Sequence, residues 1–199
     1  MSEPTPVERF KQALRTLEAE FDAEVAERRA ALRYRIERGR VVFDREVLAR
    51  HREARVRLTE FLAAARPSVI LTAPVIYALI IPLALLDLCV SVYQAVCFRA
   101  YGIARVRRRD YLVFDRRHLA YLNALEKLNC AYCSYAVGLF AFVTEVGART
   151  EQYWCPIKHA RRVAGMHAHY AGFVDYGDAE AFQRDREEFR RRLREAPRA

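Results

Sequence analysis

Through residues 5–38, apolar residues recur at intervals of three and four and continue after a stutter at Val25, Leu32 and Ile36, with Glu and Arg between them. These residues are Val7, Phe10, Leu14, Leu17, Phe21, Val25, Leu32 and Ile36. This spacing is typical of a helix with one apolar face. The face either packs on the protein's own core or forms a coiled-coil arm that pairs chains or holds a partner. Two regular heptads do not decide between these interpretations.

A second amphipathic helix is predicted after a bend at Gly39. Its apolar positions are Phe43, Val47, Ala54, Leu58, Phe61 and Ala65. Five arginines occupy much of the remaining surface, namely Arg45, Arg50, Arg52, Arg55 and Arg57. A basic amphipathic helix beside a membrane segment commonly lies along the lipid headgroups. The alternative is a helix whose charged face is solvated.

Residues 68–98 form the most apolar stretch of the chain, with Asp87 as its one charge. A membrane-spanning helix needs about 20 residues for a hydrocarbon layer of about 30 Å. The whole stretch would be about 46 Å long as a helix, which is longer than one span requires. Pro74 and Pro82 favour kinks. We therefore expect either one tilted, kinked span or a re-entrant hairpin that reverses near Pro82.

Arginines flank this apolar stretch on both sides. They are Arg50, Arg52, Arg55, Arg57 and Arg66 before it, and Arg99, Arg105, Arg107, Arg108 and Arg109 after it. Because Lys and Arg concentrate on the cytoplasmic side of membranes, neither flank is expected to be translocated, and the hairpin is favoured. The arginines from Arg105 to Arg109 are expected to face anionic lipid.

Two further features bear on the membrane segment. A carboxylate in or near hydrocarbon is costly, so Asp87 is expected either to hydrogen-bond locally near an interface or to form an ion or proton site. Residues 128–144 are uncharged and rich in small residues. They predict a helix packed closely against the first segment, with a second membrane crossing as the alternative.

Four potential metal ligands follow, spaced Cys130-x2-Cys133 and Cys155-x3-His159. On helices, each pair would share one face. A turn around residues 150–154 would bring the pairs together as a Cys3His set that suits zinc, iron or an iron–sulfur cluster. The alternatives are thiol–disulfide chemistry at the first pair, or four unrelated residues.

Other polar side chains in this region are candidates for accessory roles around the metal, chiefly His118, Glu126 and Glu145. A carboxylate-bridged di-iron centre would need Glu-x-x-His pairs on two helices, and the sequence contains none. The absence of these pairs weighs against a membrane oxygenase.

The overall charge agrees with a membrane partner. Lys and Arg number 34 against 25 Asp and Glu, which gives a net charge of +9. This excess suits an anionic membrane surface, and no motif that reads nucleic acid supports a nucleic-acid partner. Residues 1–66 resemble no signal peptide, so the polar mass is expected in the cytoplasm. Five cysteines in a reducing compartment favour metal or thiol chemistry over disulfides.

The chain has a family resemblance that rests on two sequence motifs. They are Asp115-Arg-Arg-His-Leu-Ala-Tyr-Leu-Asn-Ala-Leu-Glu-Lys-Leu-Asn-Cys-Ala-Tyr-Cys and Arg149-Thr-Glu-Gln-Tyr-Trp-Cys-Pro-Ile-Lys-His. Over residues 99–162 it resembles a group of bacterial inner-membrane proteins without an established activity, which implies that location. The Cys155-x3-His159 half is also similar to the Cys-Asp-Gly-x-His end of CDGSH iron–sulfur proteins. Here Pro-Ile-Lys replaces the interior, and Cys130-x2-Cys133 replaces that family's Cys-x-Cys.

The sequence thus predicts an all-α protein in four parts. These are amphipathic helices over 1–66, a membrane-inserted segment over 67–99, a helical Cys/His region over 100–177 and a charged helix over 178–199. The first functional hypothesis is a structural or electron-carrying metal centre at the membrane. The second is a metal-free scaffold that uses residues 5–62 to bind a partner, with residues 5–38 as the segment for a protein partner or for self-association. The third is a membrane metalloenzyme that uses the accessory residues.

Overall fold

A computed structural model describes residues 5–37 and 40–196. The chain forms two compact units, the first from residues up to Ala64 with Asp115–Leu128, the second from Ala65–Phe114 with the chain from Asn129 onward. The main elements are α1 Pro6–Ala31, β1 Tyr34–Glu37, β2 Arg40–Phe43, α2 Arg45–Glu53, α3 Leu58–Ala64, α4 Pro67–Ala78, α5 Ile80–Tyr93, α6 Arg99–Tyr101, α7 Ala124–Trp154 and α8 Ala179–Glu195. A π-helical turn, Gln94–Phe98, joins α5 to α6, and 3-10 turns lie at Arg108–Asp110, Asp115–His118 and Tyr170–Gly172.

The predicted helical fold class is confirmed, with one departure in the first unit. The helix predicted over 5–38 ends at Ala31, and β1 and β2 form an antiparallel hairpin in which Tyr34 pairs with Phe43. Aromatic and β-branched residues dominate these strands, and such residues favour extended backbone. The predicted bend at Gly39 lies outside the described residues.

Local hydrogen bonds and ion pairs define the start of α1 and the turn that follows it. The Thr5 hydroxyl accepts from the Glu8 N–H, and the Glu8 carboxylate accepts from the Thr5 N–H at 2.7 Å, which forms a capping box. After α1, Arg33 adopts a left-handed backbone with φ of 53°. Its guanidinium donates to Asp44 at 3.0 Å and to Glu46 at 2.8 Å, so the turn is tied to the start of α2.

The second predicted amphipathic helix is divided in two. It forms α2 and α3, which are separated by residues 54–57. Val47 is its buried residue, and the His51 ring on the same helix lies 5.0 Å from the rings of both Phe43 and Tyr121. This aromatic row joins α2 to the hairpin and to the segment before α7 within the first unit.

The apolar segment of the second unit is helical from Pro67 to Tyr101. Of the two forms expected from the sequence, the structure therefore has the kinked helix and not two arms that reverse near Pro82. The change from α4 to α5 falls at Leu79, between the two prolines, and the run ends at Gly102. Gly102 has φ of 71°, a left-handed conformation in which glycine commonly ends helices.

Helix α7 runs in the same direction as this first helix. The contacts between them advance together along both chains, joining Tyr77 to Asn129, Asp87 to Tyr135, Tyr93 to Thr150 and Tyr101 to Tyr153. Two parallel helices need a connection that returns along their length. Residues 102–112, which we call the returning chain, begin this connection. The Ala104 carbonyl contacts Arg149 near the end of α7, whereas the Tyr111 carbonyl lies against Gly138, eleven residues earlier on that helix.

The core of the second unit lies where the two helices, the returning chain and α8 meet. Its buried residues are Leu83, Phe98, Ile103, Val106, Leu139, Phe142, Val146 and Leu193. The predicted charged C-terminal helix is confirmed as α8, which starts at Asp178 with a side-chain cap to the Ala181 N–H. Its Phe189 and Leu193 are buried, so one face of this helix packs on the protein.

Candidate functional site

The four predicted metal ligands do not come together. Cys130 and Cys133 lie near the start of α7, whereas Cys155 follows its last residue. At about 1.5 Å per helical residue, Cys133 and Cys155 are separated by about 33 Å along the axis. Within residues 5–37 and 40–196, no three His, Cys, Asp or Glu side chains are grouped to hold a metal ion. The Cys3His centre inferred from spacing is therefore not assembled in this chain.

The separation arises because the predicted turn at residues 150–154 is part of α7. Beyond it, the chain from Cys155 to His159 is not helical, so these two residues do not share a helix face. Ile157 forms a parallel bridge with Val174. The His159 N–H donates to the Tyr170 hydroxyl at 2.6 Å, and the two rings are stacked. This pairing with residues 170–174 fixes the segment that carries the second half of the motif.

The three candidate accessory residues have separate surroundings. Glu126 accepts from the Asn123 N–H at 2.8 Å, while the Asn123 side chain accepts from the Leu125 and Glu126 N–H groups. This arrangement caps α7, which explains the carboxylate structurally. His118 ends the 3-10 turn that starts at Asp115. Glu145 lies on α7 and contacts Arg149 at 2.8 Å.

Asp87 is the centre of a buried polar site in the second unit. It is 6% exposed, and its carboxylate accepts from Arg108 at 2.6 Å, Tyr135 at 2.9 Å and Ser91 at 3.4 Å. Of the two expectations for this residue, the geometry favours local hydrogen bonding, because three donors already serve its two oxygens. The site joins both long helices to the returning chain. A carboxylate with this many partners is suited to fixing structure.

The same region holds the returning chain by further polar contacts. The Gln94 side-chain oxygen accepts from the Val106 N–H at 2.6 Å, and its amide donates to the Val106 carbonyl at 3.4 Å. Arg149 donates to the Ala104 carbonyl at 2.7 Å. Buried backbone groups without such partners would be costly. Gln94 and Arg149 thus replace the hydrogen bonds that regular secondary structure would supply.

Gly138 allows the returning chain to lie directly on α7. A Cβ at this position would stand 2.6 Å from the Tyr111 carbonyl oxygen and 3.1 Å from the Leu112 Cα. Both are backbone atoms that the surrounding contacts hold in place. Burial raises the pKa of the Tyr111 phenol, which keeps the side chain uncharged beside Phe142. Gly138 therefore allows close packing. Its neighbour is the returning chain, whereas the sequence predicted close packing against the apolar membrane segment.

The four arginines expected to face lipid have different environments. Arg108 forms the ion pair with Asp87, and its side chain is 50% exposed. Arg109 lies 3.9 Å from Asp110. Arg105 and Arg107 are exposed. All four belong to the irregular segment that packs against the two long helices.

Two histidines attach the chain after α7 to its C-terminal half. His167 contacts Glu151 at 2.7 Å. His169 contacts the Gln152 side-chain oxygen at 2.7 Å and Glu145 at 3.3 Å. Because the Gln152 amide donates to a backbone carbonyl, its oxygen is the acceptor, and both ring nitrogens of His169 face acceptors. The two histidines, which are ordinary packing residues by position alone, hold the chain after α7 against that helix by these hydrogen-bonding contacts.

A cavity of about 470 Å³ lies within the first unit. Its lining includes Leu32, Tyr34, Phe43, His51 and Tyr121. Its volume falls in the range of small-molecule sites. None of the residues predicted from the sequence to form a site lines it. The cavity depends on the hairpin, which the apolar pattern did not predict. The sequence therefore gave no indication that these residues surround a cavity.

Comparison of the chain with protein-family models, curated proteins and solved structures finds no match. Two helices, Pro67–Tyr101 and Ala124–Trp154, are long and apolar enough to cross a membrane. In the most apolar 18-residue window of the first, none of the residues is buried, against 22% in the second.

Proposed function

We propose that this protein is a membrane-attached scaffold that inserts the exposed surface of helix Pro67–Tyr101 into lipid from one side. The observation that carries the proposal is the bare apolar helix: none of its most apolar window is buried in the protein. A helix that is apolar on every side needs a nonaqueous environment. Lipid supplies that environment, and the net charge of +9 suits an anionic membrane surface.

The first part of this helix presents the widest apolar surface to lipid. Val69, Ile70 and Leu71 are consecutive and all exposed, with Leu71 81% exposed. Successive helical residues point about 100° apart, so three of them cannot belong to one face. Beyond Pro82 the exposed apolar residues narrow to a stripe at Leu85, Leu88, Val92 and Val96. The first part of the helix therefore has the most surface to bury in hydrocarbon.

Chain direction argues against complete crossing by both helices. Because they run parallel, a layer crossed by both would have to be crossed in reverse by the chain between them. That connection is irregular and carries Arg107, Arg108, Asp110, Arg116 and Arg117. Lipid-exposed irregular backbone does not occur in hydrocarbon, and charges there are costly. Attachment from one side avoids this crossing.

The side of attachment is proposed from charge. Basic residues lie on both flanks of the apolar helix, including Arg66 before it and Arg105 after it. In a bacterial inner membrane this distribution fits the cytoplasmic face, where anionic lipid attracts Arg and where arginines are retained. Asp87 and Arg108 would then hold the charged connection above the inserted part of the helix.

The scaffold hypothesis is preferred to a metal centre for a geometric reason. The metal hypothesis required Cys130, Cys133, Cys155 and His159 to meet, and α7 separates them. A metalloenzyme built around those ligands loses the same support. The scaffold hypothesis needs an exposed face that can hold another protein. Helix α1 offers such a face, since Phe10 and Phe21 are 60% and 66% exposed.

Charged substitutions on the bare helix should detach the protein from membranes. We expect Leu71→Glu combined with Ile81→Glu to move the protein from the carbonate-washed membrane pellet to the supernatant. A charged residue in hydrocarbon costs about 2.5–3.5 kcal/mol, so each change should weaken partitioning by up to about 70–400-fold. Flotation with vesicles that contain anionic phospholipid measures the change directly.

A matched control separates insertion from general charge effects. Leu14→Glu combined with Leu17→Glu adds the same two charges to exposed leucines of α1 and should leave membrane retention unchanged. Retention of the doubly substituted protein at the wild-type level, or a wild-type protein that stays in the supernatant, would contradict the proposal.

A further inference from the structure

The apolar stripe of α1 has no cover within the described part of the chain. From Glu8 to Arg29, the described side chains are exposed except that of Val25, which is half-buried. The four residues of the stripe, Phe10, Leu14, Leu17 and Phe21, are 45–66% exposed. They are separated by four, three and four positions, which is the heptad spacing of a coiled-coil seam. Of the two interpretations of this stripe, packing on the protein's own core is therefore not what the structure shows.

We infer that α1 pairs with α1 of a second copy of this chain, in antiparallel orientation. The inference deepens the proposed scaffold function, because it names the partner of the exposed arm. Two features of α1 lead to this partner and orientation, namely the symmetry of the stripe and the distribution of charge.

The stripe is symmetric about the point between Arg15 and Thr16. When two copies run in opposite directions about this point, Phe10 meets Phe21 of the other copy and Leu14 meets Leu17. Each layer then pairs an a position of the heptad with a d position of the other copy. Antiparallel coiled coils require this pairing. In parallel orientation, Phe10 and Phe21 would each have to stack on themselves. The antiparallel register covers every residue of the stripe with an apolar side chain.

Charge along α1 selects the same orientation. Residues 6–16 contain three basic residues and one acidic residue, whereas residues 17–27 contain five acidic residues and no basic residue. Parallel pairing would place the acidic halves together, and like charges across an interface are unfavourable. Antiparallel pairing places each basic half beside an acidic half. A long heterologous partner would need its own complementary stripe, whereas a second copy already has one.

The apolar area available suggests that pairing depends on the membrane. A buried phenylalanine contributes about 150–250 Å², so four rings at their observed exposure offer about 400–600 Å². Specific interfaces bury at least about 1,200 Å² in total, and the leucines and flanking side chains add only part of the difference. The dimer is therefore expected to be weak in dilute solution. Attachment of both copies to one membrane raises their effective concentration.

Oligomeric state in vesicles tests the pairing with a matched pair of variants. Leu17→Glu places a carboxylate in the seam, whereas Ala19→Glu places the same group on the opposite face of α1. Leu and Glu have similar helix propensity, so helicity should be retained. Single-molecule photobleaching of labelled full-length protein should give two steps for wild type and Ala19→Glu, and one step for Leu17→Glu. One step for wild type, or two for Leu17→Glu, would overturn the inference.

Photo-crosslinking tests the orientation. Benzoylphenylalanine in place of Phe10 should attach to the region of Phe21, as located by peptide mass spectrometry. Residues 10 and 21 of one helix are about 16 Å apart, so this product cannot form within one chain. Attachment near residue 10 of the other copy would show parallel pairing and overturn the inference. Attachment to a different protein in cells would overturn the identity of the partner.

Membrane flotation of the same variants separates this inference from the proposed function. Leu17→Glu should float with vesicles as well as wild type does. A variant that floats and is monomeric supports both proposals. A wild-type protein that floats but never pairs overturns the inference alone, whereas a protein that pairs but does not float overturns membrane attachment alone.

Discussion

Replacement of Arg108 by alanine should lower the free energy of unfolding by about 2–4 kcal/mol. The substitution leaves the Asp87 carboxylate buried with only Tyr135 and Ser91 as donors. Removal of one partner from a buried ion pair typically costs about 3–5 kcal/mol. We expect a smaller cost here, because the Arg108 side chain is 50% exposed. Denaturant titration in mild detergent, followed by circular dichroism, measures the change.

Two controls show whether the loss comes from the ion pair. Arg109→Ala removes the neighbouring arginine, whose ion-pair contact is 3.9 Å, and should change stability by less than about 0.5 kcal/mol. Asp87→Asn in the Arg108→Ala background removes the unpaired charge and should restore part of the loss. An Arg108→Ala protein as stable as wild type would mean that Asp87 does not fix the returning chain.

Replacement of Gly138 by alanine should destabilise the protein by about 1–2 kcal/mol, net of the gain in helix propensity. The new Cβ would lie 2.6 Å from the Tyr111 carbonyl oxygen, so the returning chain would have to move away from α7. Overpacking of this kind costs about 1–3 kcal/mol, which outweighs the gain of up to about 1 kcal/mol in helix propensity. Thermal unfolding and protease sensitivity of residues 102–112 would both report the change.

Gly147 of the same helix supplies the opposite control. Nothing lies within 4 Å of a Cβ built at this position, so Gly147→Ala adds helix propensity without a clash. It should stabilise the protein by about 0.5–1 kcal/mol. If both substitutions stabilised the protein to the same extent, the returning chain would not lie on Gly138.

The apolar periodicity predicted most of the helices, because it depends on local sequence alone. The charged stretch over 178–199 predicted α8, and the hydropathy of residues 68–98 predicted an apolar membrane segment, although the hairpin was favoured over the kinked helix that the structure has. The end of α1 was missed for a local reason. Leu32 and Ile36 extend the apolar stripe in register, but the β-branched and aromatic residues around them form the hairpin instead.

The two Cys/His pairs were expected to meet, but residue spacing gives no information on whether a loop or a helix lies between them. The twenty-one residues after Cys133 contain no proline to end α7 before Cys155. The helix therefore continues through Trp154 and keeps the pairs apart. One continuous helix therefore separates the Cys130/Cys133 pair from the Cys155/His159 pair.

Asp87 shows how far sequence can specify a buried polar site. Its charge in an apolar stretch marked it as needing a partner, but Arg108 is twenty-one residues away in a segment with four arginines. Only the direction of the returning chain selects Arg108. Gln94 and Gly138 gave no comparable signal, because their roles depend on the backbone of that same chain.

Side-specific labelling of cysteines tests one-sided membrane attachment most directly. The reporters are Arg66→Cys before the apolar helix, Arg109→Cys in the returning chain and the native, exposed Cys155. Each is quantified by peptide mass spectrometry after treatment with a membrane-impermeant maleimide. We predict that all three react in inside-out vesicles and none in right-side-out spheroplasts. Labelling of positions 66 and 109 from opposite sides of the membrane would contradict the account.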